Sequence, residues 1–360
     1  MSKYSEASLS QLHHLIESYL NENPRSSVHF KSVVAKDDPL ARFNELNSKF
    51  NNSSVEIVEQ SDHYFVEVNR KIKRSGRRVD GSFALFQHDD SKIWTALTAE
   101  GADFVKRGLD WVIRSGSPHI YEFYATSRDL EGVLDFLARS VPDKFDIIVT
   151  QAIAYSHRDQ AEISYKKRPY PVVFRKAREG GNYIDSLNFD VRSDEGTELV
   201  ASINRNGGTK IHDGNVSIFF NHLLENYVHL GTEKDDLFTG KERNAQSGEV
   251  EEIELRFDSP VFQSPKDNEL LISVLSDLSR SSVTVYHANP YAHLSVLDFN
   301  DGSSCDVFVT DPETVAIVPS YRGSNNFLMR ISDKLYRELD ESSIHYLEEK
   351  SFGIEDFLEG

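Results

Sequence analysis

Two clusters of cationic side chains have the residue types and spacing that chemistry could use. Arg70, Lys71, Lys73, Arg74, Arg77 and Arg78 form the first, and Lys166, Lys167, Arg168, Arg175, Lys176 and Arg178 form the second. Tyr165, Tyr170 and Phe174 interleave the second run. Cations pair with phosphates and aromatic faces stack on bases, so the combination fits a nucleic-acid ligand. Lysine and arginine also blunt exposed sheet edges, and edge protection is the plainer account of both runs. Each run is expected in a strand-to-strand connection, where it would form a cationic hairpin arm.

Other reactive residue types give weaker patterns. His287 and His293 flank Asn289, Pro290 and Tyr291. Two histidines across a proline turn do not match the i, i+4 spacing of helical metal ligands, so a hairpin loop is expected there. The run Asp298-Phe299-Asn300-Asp301-Gly302 lacks the glycine and glutamate placement of an EF-hand, and Asp301-Gly302 signals a hairpin turn. Cys305, the single cysteine, starts an alternating strand and reads as a packing residue rather than a nucleophile. His212-Asp213-Gly214 could offer an acid–base pair, but its place before an amphipathic stretch reads as the start of a helix. GxGxxG, Walker, HExxH and GxSxG signatures are absent. The residues therefore name no catalytic group, no metal ligand and no cofactor.

The elements that must carry these residues recur three times. An acid-Gly-hydroxyl turn is expected at Asp80-Gly81-Ser82, Glu195-Gly196-Thr197 and Asp301-Gly302-Ser303, and Gly101, Gly214 and Gly323 each precede an amphipathic helix. Around each pair the pattern reads strand, helix, four strands, helix. Leu130, Val133, Leu134 and Leu137 show the i, i+3, i+4, i+7 spacing of a buried helix face. A period of roughly 110 residues means duplicated domains rather than stacked solenoid units. The expected organisation is an N-terminal helix at 1–25, repeat domains at 26–117 and 118–230, a linker at 231–248, a third domain at 249–345 and an acidic tail at 346–360. The second copy is longer: 67 residues separate Arg128 from Glu195, against 42 from Asp38 to Asp80.

The expected fold class is α+β, with each four-strand antiparallel meander covered on one face by its two helices and free on the other. This element order is similar to one repeat of the TATA-binding-protein fold and also resembles helix-grip folds, which wrap a sheet around a helix. The resemblance is of element order alone and carries over no residues and no function.

Charge separates the copies. Residues 1–115 hold 16 basic and 16 acidic side chains, 116–232 hold 13 and 16, and 233–360 hold 11 and 26. Acidity in the last third should repel nucleic acid and anionic lipid. No apolar run reaches the ~18 residues of a membrane span, and the first residues lack the apolar core of a secretory signal. The chain thus reads as cytoplasmic. Copies with free sheet faces and no catalytic constellation point to a non-enzymatic binding or adaptor protein with a protein partner. The alternative is a nucleic-acid-binding protein using the two basic arms.

Overall fold

The computed structural model describes residues 9–88, 91–140, 145–241 and 251–346. They form a mixed α+β architecture with two antiparallel sheets. The chain divides into two compact units, Met1–Leu237 and Phe238–Gly360. Among the described residues no helix is long and apolar enough to cross a membrane. The acidic tail from residue 347 lies outside the described residues.

Unit one opens with helix α1 (Leu9–Glu22), then β1 (Val28–Ala35), α2 (Pro39–Lys49), β2 (Ser53–Glu59), β3 (Tyr64–Lys71), β4 (Arg78–Gln87), β5 (Ile93–Thr98) and α3 (102–115). The second set is β6 (Ile120–Tyr121), α4 (Ser127–Arg139), β7 (Asp146–Ser156), β8 (Glu162–Pro169), α5 (Tyr170–Glu179), β9 (Asn182–Ser193), β10 (Gly196–Asn204), β11 (Gly208–Gly214) and α6 (216–236). All these strands share one sheet, ordered β2-β3-β4-β5-β1-β11-β10-β9-β7-β8, with β6 paired to β1. A capping box between Thr126 and Asp129 starts α4 and satisfies orphan amides. Leu130, Val133, Leu134 and Leu137 are buried beneath it.

Strand alternation sends the helices to opposite faces of this sheet. Phe30 meets Phe219 and Phe220 of α6 at ring-centroid distances of 4.8 and 5.3 Å. Val33 and Ala35 point the other way from Phe30 and pack with Phe43 and Leu46 of α2 and with Leu109 and Val112 of α3. The free face expected beside each meander is accordingly found only in part. Behind β3–β5, Leu12, Ile16 and Tyr19 of α1 line a cleft with Phe65, Ala84 and Leu97. Behind β11–β7, opposite α6, the sheet face is open and polar.

Three local expectations are corrected. Asp80-Gly81-Ser82 is not a turn but lies inside β4. Its glycine is required by packing, since a Cβ at Gly81 would fall 2.5 Å from the Phe104 ring. The second basic run is not a strand-to-strand hairpin arm, because it lies on a strand and a helix, β8 and α5, inserted between β7 and β9, which also account for the extra length of the second copy. Pro171 in the first turn suits a helix start, and Val173, Phe174 and Ala177 give α5 a buried face. Helix α6 continues into the stretch expected as linker, to Asp236. Burial of Asp235, which accepts from Tyr121 Oη at 2.5 Å and from Lys92 Nζ at 2.8 Å, anchors that last turn. Residues 242–248 of the expected linker, with 249 and 250, lie outside the described residues.

Unit two contains β12 (Ile253–Phe257), α7 (Pro265–Ser276), β13 (Ser281–His287), β14 (His293–Asp298), β15 (Ser304–Asp311), β16 (Thr314–Pro319), α8 (Asn325–Glu338) and β17 (Ser342–Tyr346). Its sheet runs β13-β14-β15-β16-β12-β17. The first five strands thus stand in the order of β2-β3-β4-β5-β1. Leu255, Leu271, Leu275, Leu294, Val307, Ile317 and Phe327 are among the residues that fill its core.

Candidate functional site

Of the first basic run, Arg70 and Lys71 end β3, Lys73, Arg74 and Arg77 lie in the turn, and Arg78 begins β4. This run is a hairpin arm, but two of its cations are engaged. The Arg70 guanidinium stacks 4.5 Å above the Trp111 ring and donates to the Arg107 carbonyl at 2.7 Å, and Arg77 meets Asp103 at 3.0 Å. In the second run Lys166, Lys167 and Arg168 are on β8, while Arg175, Lys176 and Arg178 are on α5. Arg178 meets Glu131 at 2.7 Å. Lys71, Lys73, Arg74, Arg78, Lys166, Lys167, Arg168, Arg175 and Lys176 are exposed. The sheet does not bring the runs together. Strands β3 and β8 are eight places apart in the row, roughly 38 Å at ordinary strand spacing.

The other chemical candidates resolve locally. His287 and His293 are cross-strand partners in the β13–β14 hairpin. Asp298 is buried and its carboxylate meets Arg330 Nη1 at 2.7 Å, so its buried charge is compensated within the chain. Cys305 is buried in β15, and desolvation pushes its thiol up, away from the reactive thiolate. Among the described residues no group of three His, Cys, Asp or Glu side chains could hold a metal ion.

Two further features among the described residues could receive a partner or ligand. In unit two, β13 is an edge strand with the sequence Ser-Ser-Val-Thr-Val-Tyr-His, without charge and mostly exposed. The Phe299 amide donates to the Arg280 carbonyl at 2.8 Å. Alternation along an antiparallel pair then makes Ser282 and Thr284 the residues bonded to β14. The backbone N–H and C=O groups of Val283 and Val285 consequently point to the open edge. Beside them Val285, Tyr286, Tyr291 and Leu297 are exposed, and His293 stacks between Tyr286 and Phe308 at 4.7 and 4.3 Å. An uncharged, β-branched edge is the usual template for strand addition, and the register shift of β13 falls after Val285, beyond the two outward-facing valines.

In unit one, the open sheet face and α3 enclose a cleft of about 610 Å³. Its floor carries a cross-strand row of polar residues, His29, Lys210, Ser202, Asn188 and Gln151, which continues to Lys166 on β8. Burial, with Lys210 and His212 nearby, lowers the His29 pKa to about 4. Desolvation lowers Lys210, and desolvation with Lys210 lowers His212. Across the cleft, burial raises the Asp110 carboxyl. Ser202 Oγ and His212 Nε2 are 2.6 Å apart, the contact of a nucleophile with its base. No carboxylate hydrogen-bonds His212 among the described residues, and the neighbouring cation opposes its protonation. Sequence reading missed His29, Ser202 and Lys210, whose only signal is register across three strands.

No protein-family model and no curated protein matches this chain.

Proposed function

We propose that this is a non-enzymatic binding or adaptor protein whose unit two adds an extended segment of a protein partner to β13. The observation that carries the reading is the outward-facing backbone of Val283 and Val285 on an uncharged, exposed edge. The occupant is a basic strand, because residues 233–360 carry 26 acidic against 11 basic side chains and complementary charge steers and orients docking. Main-chain bonds would supply affinity, and Tyr286, Leu297 and Phe308 would select alternate side chains. The proposal includes three duplicated α+β copies, with an element order similar to a TATA-binding-protein repeat, and a cytoplasmic location consistent with one reduced cysteine.

The test uses an alternating lysine–valine heptapeptide as probe. Val285→Pro removes an outward donor without a β14 ladder bond, a position where an edge strand tolerates proline. Its affinity should fall roughly five- to tenfold, one or two net hydrogen bonds, with the thermal midpoint nearly unchanged. Peptide binding that ignores Val285→Pro would overturn the reading.

The second reading, nucleic-acid binding, is favoured by the exposed, unengaged cations of the two runs. Neutralising Arg74, Arg77 and Arg78 together with Lys166, Lys167 and Arg168 should then abolish binding of an oligonucleotide whose affinity falls steeply with salt. The separation of the runs requires a strand that crosses roughly 38 Å of sheet.

A further inference from the structure

We infer that the unit-one cleft is a binding site for the phosphate group of a small organic ligand, held between His29, Lys210 and His212. This inference rests on residues separate from the β13 edge and stands independently of it.

The register places His29 of β1 directly opposite Lys210 of β11. His29 is 8% exposed, and its Nδ1 is buried without a hydrogen-bond partner, while Nε2 lies 3.3 Å from Ser27 Oγ. An unpaired buried imidazole nitrogen carries a desolvation cost that a ligand atom would relieve. Lys210 is half-buried and no carboxylate pairs with it among the described residues. His212 completes the group through Ser202, the cross-strand neighbour of Lys210. His29 and Lys210 thus line the cleft with His212 beside them on the same sheet face, and no carboxylate hydrogen-bonds any of the three among the described residues, so an anion is their physical complement. A phosphate suits them better than a carboxylate because it offers an oxygen to each of three donors.

The rest of the cleft fits the body of such a ligand. A volume of about 610 Å³ is within the usual range of small-molecule sites. Asn188 and Asn204 present amides to it, and Ile153, Val105 and Leu109 give it apolar walls. The remaining titratable groups around it are Lys31, Lys106, Asp110, Arg114, Glu122 and Asp185. Lys31 is bound to Glu122 at 2.6 Å. Lys106 and Arg114 face the Asp110 carboxyl, so the wall adds no large negative field against an anion.

Phosphate binding would favour the protonated imidazoles, so affinity should rise as pH falls through the histidine range. The experiment titrates the full chain with inorganic phosphate, with acetate, and with a twelve-residue oligothymidylate, following the imidazole C–H resonances. Phosphate should shift the His29 and His212 signals and raise the pH at which they titrate. Lys210→Met, half-exposed and so compatible with folding, should weaken phosphate binding at least about tenfold, and His29→Asn should weaken it and flatten its pH dependence. Acetate should bind more weakly. Unmoved His29 and His212 signals, acetate binding equal to phosphate, oligothymidylate binding without phosphate binding, or full affinity in Lys210→Met would each overturn the assignment.

Discussion

His29 makes the folded state acid-sensitive by an amount that can be worked out. Its native pKa lies at about 4, against about 6.5 in an unfolded chain. Between these values the unfolded state binds more protons, so the stability due to neutral His29 is present above about pH 6.5 and lost as pH falls toward 4. The linkage relation gives a loss of about 2 kcal/mol between about pH 7 and about pH 5. His13 and His212 are also lowered, so the wild-type slope contains their share as well. His29→Gln isolates the one group: the variant's stability curve should be flatter than wild type by that amount. Trp94 and Trp111, the two tryptophans of the chain, both lie in unit one. Urea unfolding followed by their fluorescence therefore reports the relevant unit. Parallel wild-type and His29→Gln curves across this pH range would refute the argument, because His29 would then be protonated alike in both states.

Two packing predictions follow from the same unit. Gly81→Ala drives a methyl group into the Phe104 ring and should cost about 1–3 kcal/mol, again read from tryptophan fluorescence; unaltered stability would mean the ring moves aside freely. Tyr121→Phe removes a donor to the carboxylate of buried Asp235 and should cost about 1.5–3 kcal/mol. A loss well below that range would show that Asp235 is satisfied without the tyrosine.

Much of the scaffold was legible because periodicity marks one face of an element. Leu130, Val133, Leu134 and Leu137 of α4 announce their buried stripe, and Asp301-Gly302 announces the β14–β15 turn, where Gly302 has φ +76°. Gly81 misled because a glycine needed for close packing and a glycine needed for a turn look the same in sequence. Strand β8 was missed because Lys166, Lys167 and Arg168 hide an edge strand behind the composition of a solvated loop. The cleft residues were illegible for a different reason. His29 and Lys210 are 181 positions apart in the chain and become neighbours only when β1 pairs with β11. The sheet faces could not be assigned either, since no local pattern states that α2 and α6 cover opposite sides.

The most direct test of the binding account is amide hydrogen exchange of the full chain with and without the lysine–valine heptapeptide. The account predicts that the outward amides of Val283 and Val285 exchange freely in the unliganded protein and become protected on binding. Ser282 and Thr284, already bonded to β14, should change little. Protection that appears elsewhere while Val283 and Val285 continue to exchange would contradict strand addition at β13.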